Sequence, residues 1–177
     1  MDKLLAKNVP HIHEKIFLTA GYQTFKACFE VCGTWTRLLK TDQFRKVAKS
    51  EFHHDIQADF WGAIEENNVN EVGRILSTGM ADVNCVRDIQ LHRNSAMRQE
   101  TPLYCAARMG LEDMAQLLID RGADPNWLWQ HEGGVTPLCV ASAMEHPNVL
   151  RVLLNAGADP NKAGKLCGYS PLHWAFI

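Results

Sequence analysis

The stretch TPLYCAARMGLEDMAQLLIDRGADPN, Thr101–Asn126, returns in large part as TPLCVASAMEHPNVLRVLLNAGADPN, Thr136–Asn161. A third opening of the same kind stands at Ser170, so Thr/Ser-Pro-Leu recurs at intervals of 35 and 34 residues. A fixed period of this size points to a repeating supersecondary unit, not to a single closed core. Each unit carries its own punctuation. Thr or Ser caps a helix that Pro can begin, because the first helical N–H needs no partner. Small residues such as Ala106 and Ala107 follow and allow neighbouring helices to approach closely. A second helix is predicted from Met114, Leu117, Leu118 and Ile119, and again from Val149, Val152, Leu153 and Leu154. Gly122 and Gly157 are placed to end these helices in a left-handed conformation, and Ala-Asp-Pro-Asn turns the chain outward.

An earlier and more divergent unit is DFWGAIEENNVNEVGRILSTGMADVN, Asp59–Asn84. It keeps the 25-residue interval from its first residue to the closing Asn, but it lacks Thr-Pro and has Met80 where the later units have Gly. A first repeat is expected to diverge, since no preceding copy covers it. The joins between units differ in length: 17 residues from Asn84 to Thr101, 10 from Asn126 to Thr136 and nine from Asn161 to Ser170. The first join, CVRDIQLHRNSAMRQE, therefore holds an insertion with Arg87, His92, Arg93 and Arg98. It reads either as a tolerated surface loop or as a contact for an acidic partner. The second join, WLWQHEGG, places Trp127 and Trp129 as interface anchors or as packing on the adjacent join.

These units resemble ankyrin repeats, whose motif includes Thr-Pro-Leu-His; here the His is kept at His173, with Tyr104 and Cys139 in its place elsewhere. The resemblance covers 59–177: a divergent first repeat at 59–84, then 101–126, 136–161 and the start of a fourth at 170–177. It implies a stack of helix pairs with β-hairpin fingers and a long concave protein-binding surface. By position in the repeat, the target-binding residues it implies are Glu100, Arg108, Met109, Val135, Ala143 and Met144, with Trp127 and Trp129 from the finger. His173 is expected to hydrogen-bond within the stack. Because no outer helix follows Ile177, the chain is expected to continue in the native product.

The segment before the repeats has another character. Residues 1–55 carry nine Lys/Arg and six Asp/Glu, whereas 56–177 carry nine and fourteen. Ile12, Ile16 and Phe17 form one apolar stripe, and Phe25, Cys28, Phe29 and Cys32 a second, with Gly21 and Gly33 as breaks and Trp35, Leu38 and Leu39 beyond. That is more apolar surface than about 40 residues bury alone. Pro10, the Ile16-Phe17 pair and Val31-Cys32-Gly33-Thr34-Trp35 stand in an order and spacing that resembles an F-box. The resemblance implies an F-box-like module at 1–40 that binds the Skp adaptor of a cullin-RING ubiquitin ligase through Pro10, Ile16, Phe17, Val31 and Trp35. Phe44, Val47, Ala48 and Phe52 predict a stiff bridging helix within 41–58, packed on the first repeat.

The fold class expected is therefore all-α: a small helical module followed by an ankyrin solenoid. The function expected is substrate recognition in a Skp-cullin-F-box ligase. Two alternatives stand beside it: a SOCS-box-type adaptor that recruits elongins, and an ankyrin scaffold or inhibitor outside ubiquitin chemistry. A net charge of −2 with 46% apolar residues argues against a general grip on nucleic acid or an anionic membrane. No segment approaches the roughly 18 apolar residues of a membrane span. The six cysteines show no Cys-x-x-Cys pairing and read as reduced thiols of a cytoplasmic or nuclear protein. His11, His13, His53 and His54 with Cys28 and Cys32 lack the paired spacing of a zinc framework. No phosphate loop or nucleophile elbow occurs, so neither cofactor, metal nor catalytic residue is expected.

Overall fold

A computed structural model describes residues 21–23, 26–27, 42–89, 98–128, 135–162 and 170–174. The chain divides into two compact units, 1–59 with 77–80, and 60–76 with 81–177.

The first unit holds α1 (Asp42–Glu51) and the start, up to Asp59, of α2 (His53–Glu65); the two helices meet at Phe52. Helical bonding crosses that joint, with Phe52 N–H on Ala48 O at 3.0 Å and Ile56 N–H on Phe52 O at 2.9 Å. Where a bridging helix was expected within 41–58, the chain is helical on both sides of Phe52, and α2 runs on to Glu65. Ala48, Phe52 and Ile56 lie four apart and are buried; the side chains of Phe44 and Val47 lie outside the described set. Residue 59 sits inside α2, where a helix needs no cap. Its carboxylate instead accepts from Tyr22 Oη at 2.8 Å and Lys26 Nζ at 2.7 Å. Gly79, at φ 68°, makes the left-handed turn one residue before the place of Gly122, and Met80 is buried at 3% exposure.

The second unit is built from repeated helix pairs. The first outer helix is α3 (Val69–Ser77). The hairpin β1 (Arg87–Ile89) and β2 (Arg98–Glu100) follows, antiparallel, with Arg87 opposite Glu100 at its base. Inner helices α4 (Pro102–Met109), α6 (Pro137–Ala143) and α8 (Pro171–Trp174) alternate with outer helices α5 (Glu112–Asp120) and α7 (Pro147–Asn155). Helix α6 packs on both α4 and α8, while α5 lies against α4, α7 against α6, and α5 against α7.

The local chemistry follows the sequence. Thr101 and Thr136 take extended backbone, and their hydroxyls accept from Tyr104 N–H and Cys139 N–H, each at 3.2 Å. Cys105, Ala106 and Ala107 are wholly buried, as is Ala141, so the inner layer is tight because its side chains are small. In the outer helices Met114 and Leu118, then Val149 and Leu153, are fully buried. Each of these leucines contributes roughly 1.5–3 kcal/mol by burial. Leu154, expected on that face, is 48% exposed, because a helix with neighbours on one side buries one stripe only. Gly122 and Gly157 take φ 89° and 84°, and Ala123 and Ala158 N–H close back on Leu118 and Leu153 carbonyls at 2.9 and 3.0 Å.

The closing asparagines have a second task. Asn84 Nδ2 donates to Gly122 O at 3.1 Å and its Oδ1 accepts from Asp124 N–H at 2.9 Å. Asn126 does the same one repeat on, to Gly157 O at 3.0 Å and from Asp159 N–H at 2.7 Å. A carboxamide alone offers a donor and an acceptor side by side, so each unit is tied to the next turn by one side chain.

Candidate protein-binding surface

At the base of the first finger, the register that pairs Arg87 with Glu100 forces opposite charges together. Arg87 Nε and Nη2 donate to Glu100 Oε1 at 2.8 and 2.6 Å, and Nη2 also donates to Glu65 Oε1 at 2.6 Å. The guanidinium carbon stands 4.1 Å from the Trp61 ring centroid. Burial opposes the charge on Arg87, but the bonds to Glu100 and Glu65 outweigh it and hold its pKa above the ordinary arginine value. Glu100 has no exposed surface at all. Its expected role as a target contact is therefore corrected: it is a clamp that fastens the finger to the helices. A buried carboxylate needs a cation, and Arg87 supplies it from the opposite strand.

Other residues of the expected surface stand differently. Arg108 keeps 32% of its side chain in solvent, with Nη2 at 3.5 Å from Glu100 Oε2. Met109 and Met144 are 37% and 50% exposed. Ala143 is exposed, and Val135 and Trp127 are half-buried. Trp129 lies outside the described residues, as do Pro10, Ile16, Phe17, Val31 and Trp35. Ser170 Oγ bonds His173 Nδ1 at 2.8 Å, so the His of the fourth repeat serves its own opening turn.

Sequence reasoning missed Trp61, Glu65 and His146. His146 Nε2 lies 3.3 Å from Arg108 O, and its ring fills the space where a Cβ on Gly110 would stand. Equal offsets from the repeat openings lead from Arg108 and Ala143 to Glu66, one residue past Glu65, and nothing in one sequence marks the Arg87 or His146 contacts. Cys85, Cys105 and Cys139 are free thiols. Burial pushes Cys105 up to about 11, with the Glu100 charge adding to it, and burial followed by Asp82 pushes Cys85 up to about 12. Neither thiol is a nucleophile at neutral pH. Among the described residues no helix is long and apolar enough to cross a membrane.

Stacked helix pairs, glycine-ended and tied by asparagines, with apolar and charged side chains left open at the inner-helix ends, define a repeat protein that binds other proteins. The family model described as ankyrin repeats, three copies, matches residues 60–164. The chain belongs to the ankyrin-repeat family, and such repeats are generally non-catalytic modules for protein–protein interaction. No F-box domain is detected.

Proposed function

We propose that this chain is a substrate-recognition subunit of a Skp-cullin-F-box ubiquitin ligase, working in the cytoplasm or nucleus, whose repeats hold the target protein. The observation that carries the binding part is the pair Met109 and Met144, large apolar side chains left in solvent at the same place in two successive repeats. Exposed methionines adapt to varied partners because their side chains are unbranched and polarizable. The adaptor part is supported by the F-box-like spacing of Pro10, Ile16, Phe17, Val31 and Trp35. Its contribution to chemistry is orientation: a target held in one pose presents its lysines within reach of the charged ubiquitin carrier.

A second reading has its own observation. Tyr22 and Lys26 both bond Asp59, so part of the N-terminal segment serves the helix that runs on to Glu65. On that reading the segment is a structural cap, and the protein is a scaffold outside ubiquitin chemistry. Calorimetry of the full chain with purified Skp separates the two. The adaptor reading expects binding that is lost in an Ile16→Ala, Trp35→Ala double variant with unchanged circular dichroism. Absence of Skp binding rejects it; capture of elongins from cells would support the SOCS-type alternative, and capture of neither the scaffold.

A further inference from the structure

The inner-helix ends of successive repeats carry an order of charge that the stack itself does not use. Glu66, Arg108 and Ala143 hold one place, seven residues after Asp59, Thr101 and Thr136. Glu66 and Ala143 are exposed, and one residue beyond Arg108 and Ala143 stand the open side chains of Met109 and Met144. Arg108 is poorly engaged where it lies. Its Nη2 is 3.5 Å from Glu100 Oε2 and 3.8 Å from Cys105 Sγ, and its buried Nε has no hydrogen-bond partner among the described residues. Glu100 meets Arg87 with Oε1 in two short bonds and Arg108 only with Oε2 at that long distance.

A guanidinium is a planar fork of donors whose best complement is a carboxylate that takes two parallel bonds. The flanks limit what can bring it. Glu66 and Glu145, in the repeats before and after that of Arg108, are exposed, so a densely anionic ligand running along this face meets like charge. The methionines ask for an apolar side chain next to the carboxylate.

We propose that this face takes an extended protein segment bearing one isolated carboxylate, seated on Arg108, beside an apolar side chain laid against Met109 and Met144. The proposal rests on the protein-binding reading above and adds the chemistry of the partner. A phage-displayed random peptide library, panned on the full chain, tests it. The wild type should select peptides with a single Asp or Glu beside an apolar residue. Arg108→Lys should keep the preference for an acid but bind a selected peptide more weakly than wild type, since the charge remains and the two parallel bonds are lost. Arg108→Gln should lose it, weaken a selected peptide by about tenfold and flatten the salt dependence of its binding. The Met109→Ala, Met144→Ala double variant should keep the acidic preference and lose the apolar one. Thermal unfolding of each variant separates lost contacts from lost fold. Selected peptides that are polyacidic, carry no acid, or bind Arg108→Gln as well as wild type overturn the proposal. If those peptides still need the methionines, the protein-binding reading of the face stands. If no peptide is selected, or none of the variants alters binding, both fall.

Discussion

Glu100 shows how one residue changes meaning between sequence and structure. In the sequence it is a charged residue just ahead of a Thr-Pro opening and reads as surface. In the fold it has no exposed surface and is bonded twice by a cation from the opposite strand. Glu100→Ala should leave Arg87 without its main partner and lower stability by about 3 kcal/mol, measured by urea unfolding. A loss within a few tenths would show that the clamp is dispensable. The thiols make a second case. Cys105 and Cys85 are raised to about 11 and about 12, chiefly by burial, while the unfolded chain ionises near the ordinary 9.0. The folded state therefore holds the extra protons. The stability this contributes is whole below pH 9 and is lost as pH rises through about 11 for Cys105 and about 12 for Cys85. Native Cys105 should accordingly resist iodoacetamide at neutral pH and react readily once the chain is unfolded in urea, as read by peptide mass spectrometry. Equal rates would contradict its burial.

At the scale of the element, two glycines predict opposite outcomes. Gly110 ends α4 at φ 73°, and a Cβ there would come within 2.7 Å of the His146 ring. Gly110→Ala should cost about 1–2 kcal/mol from backbone strain alone, with more from the displaced ring. Gly73 lies inside α3, where an added Cβ meets Arg121 and Leu117 at 3.8 Å, an ordinary contact. Gly73→Ala should stabilise by about 1 kcal/mol through helix propensity. Thermal unfolding of the pair checks both signs. These helices were legible in outline because caps, prolines and glycines act within a few residues. The face they bury was less so: Leu154 shares the apolar character of Leu153, yet only one of them meets the inner layer.

For the whole molecule, cohesion between repeats runs through packed inner helices and the asparagine ties. Asn126 bridges its own turn to that of the next repeat with two hydrogen bonds. Asn126→Ala should remove about 1–2 kcal/mol and, because repeat stacks unfold as coupled units, should broaden the denaturation transition. An unbroadened transition at unchanged midpoint would show that helix packing alone couples the units. Asn84→Ala should act in the same sense one repeat earlier, since its two bonds are the same in kind.

The sequence by itself determined the period, the positions of the inner and outer helices and the family, because a repeat writes its capping residues and apolar spacing several times over. The ankyrin resemblance implied Arg108 and Ala143 at one place of the repeat and Met109 and Met144 at the next, and these side chains are open to solvent in different degrees. Tertiary structure alone decided which charges are spent inside the fold. Arg87 and Glu100 stand thirteen residues apart across an insertion, and only strand register brings them together. Asp59 answers to Tyr22 and Lys26, more than thirty residues earlier. Local rules act over a helical turn, whereas charge pairing acts wherever the chain returns to itself, and one sequence does not record where that is.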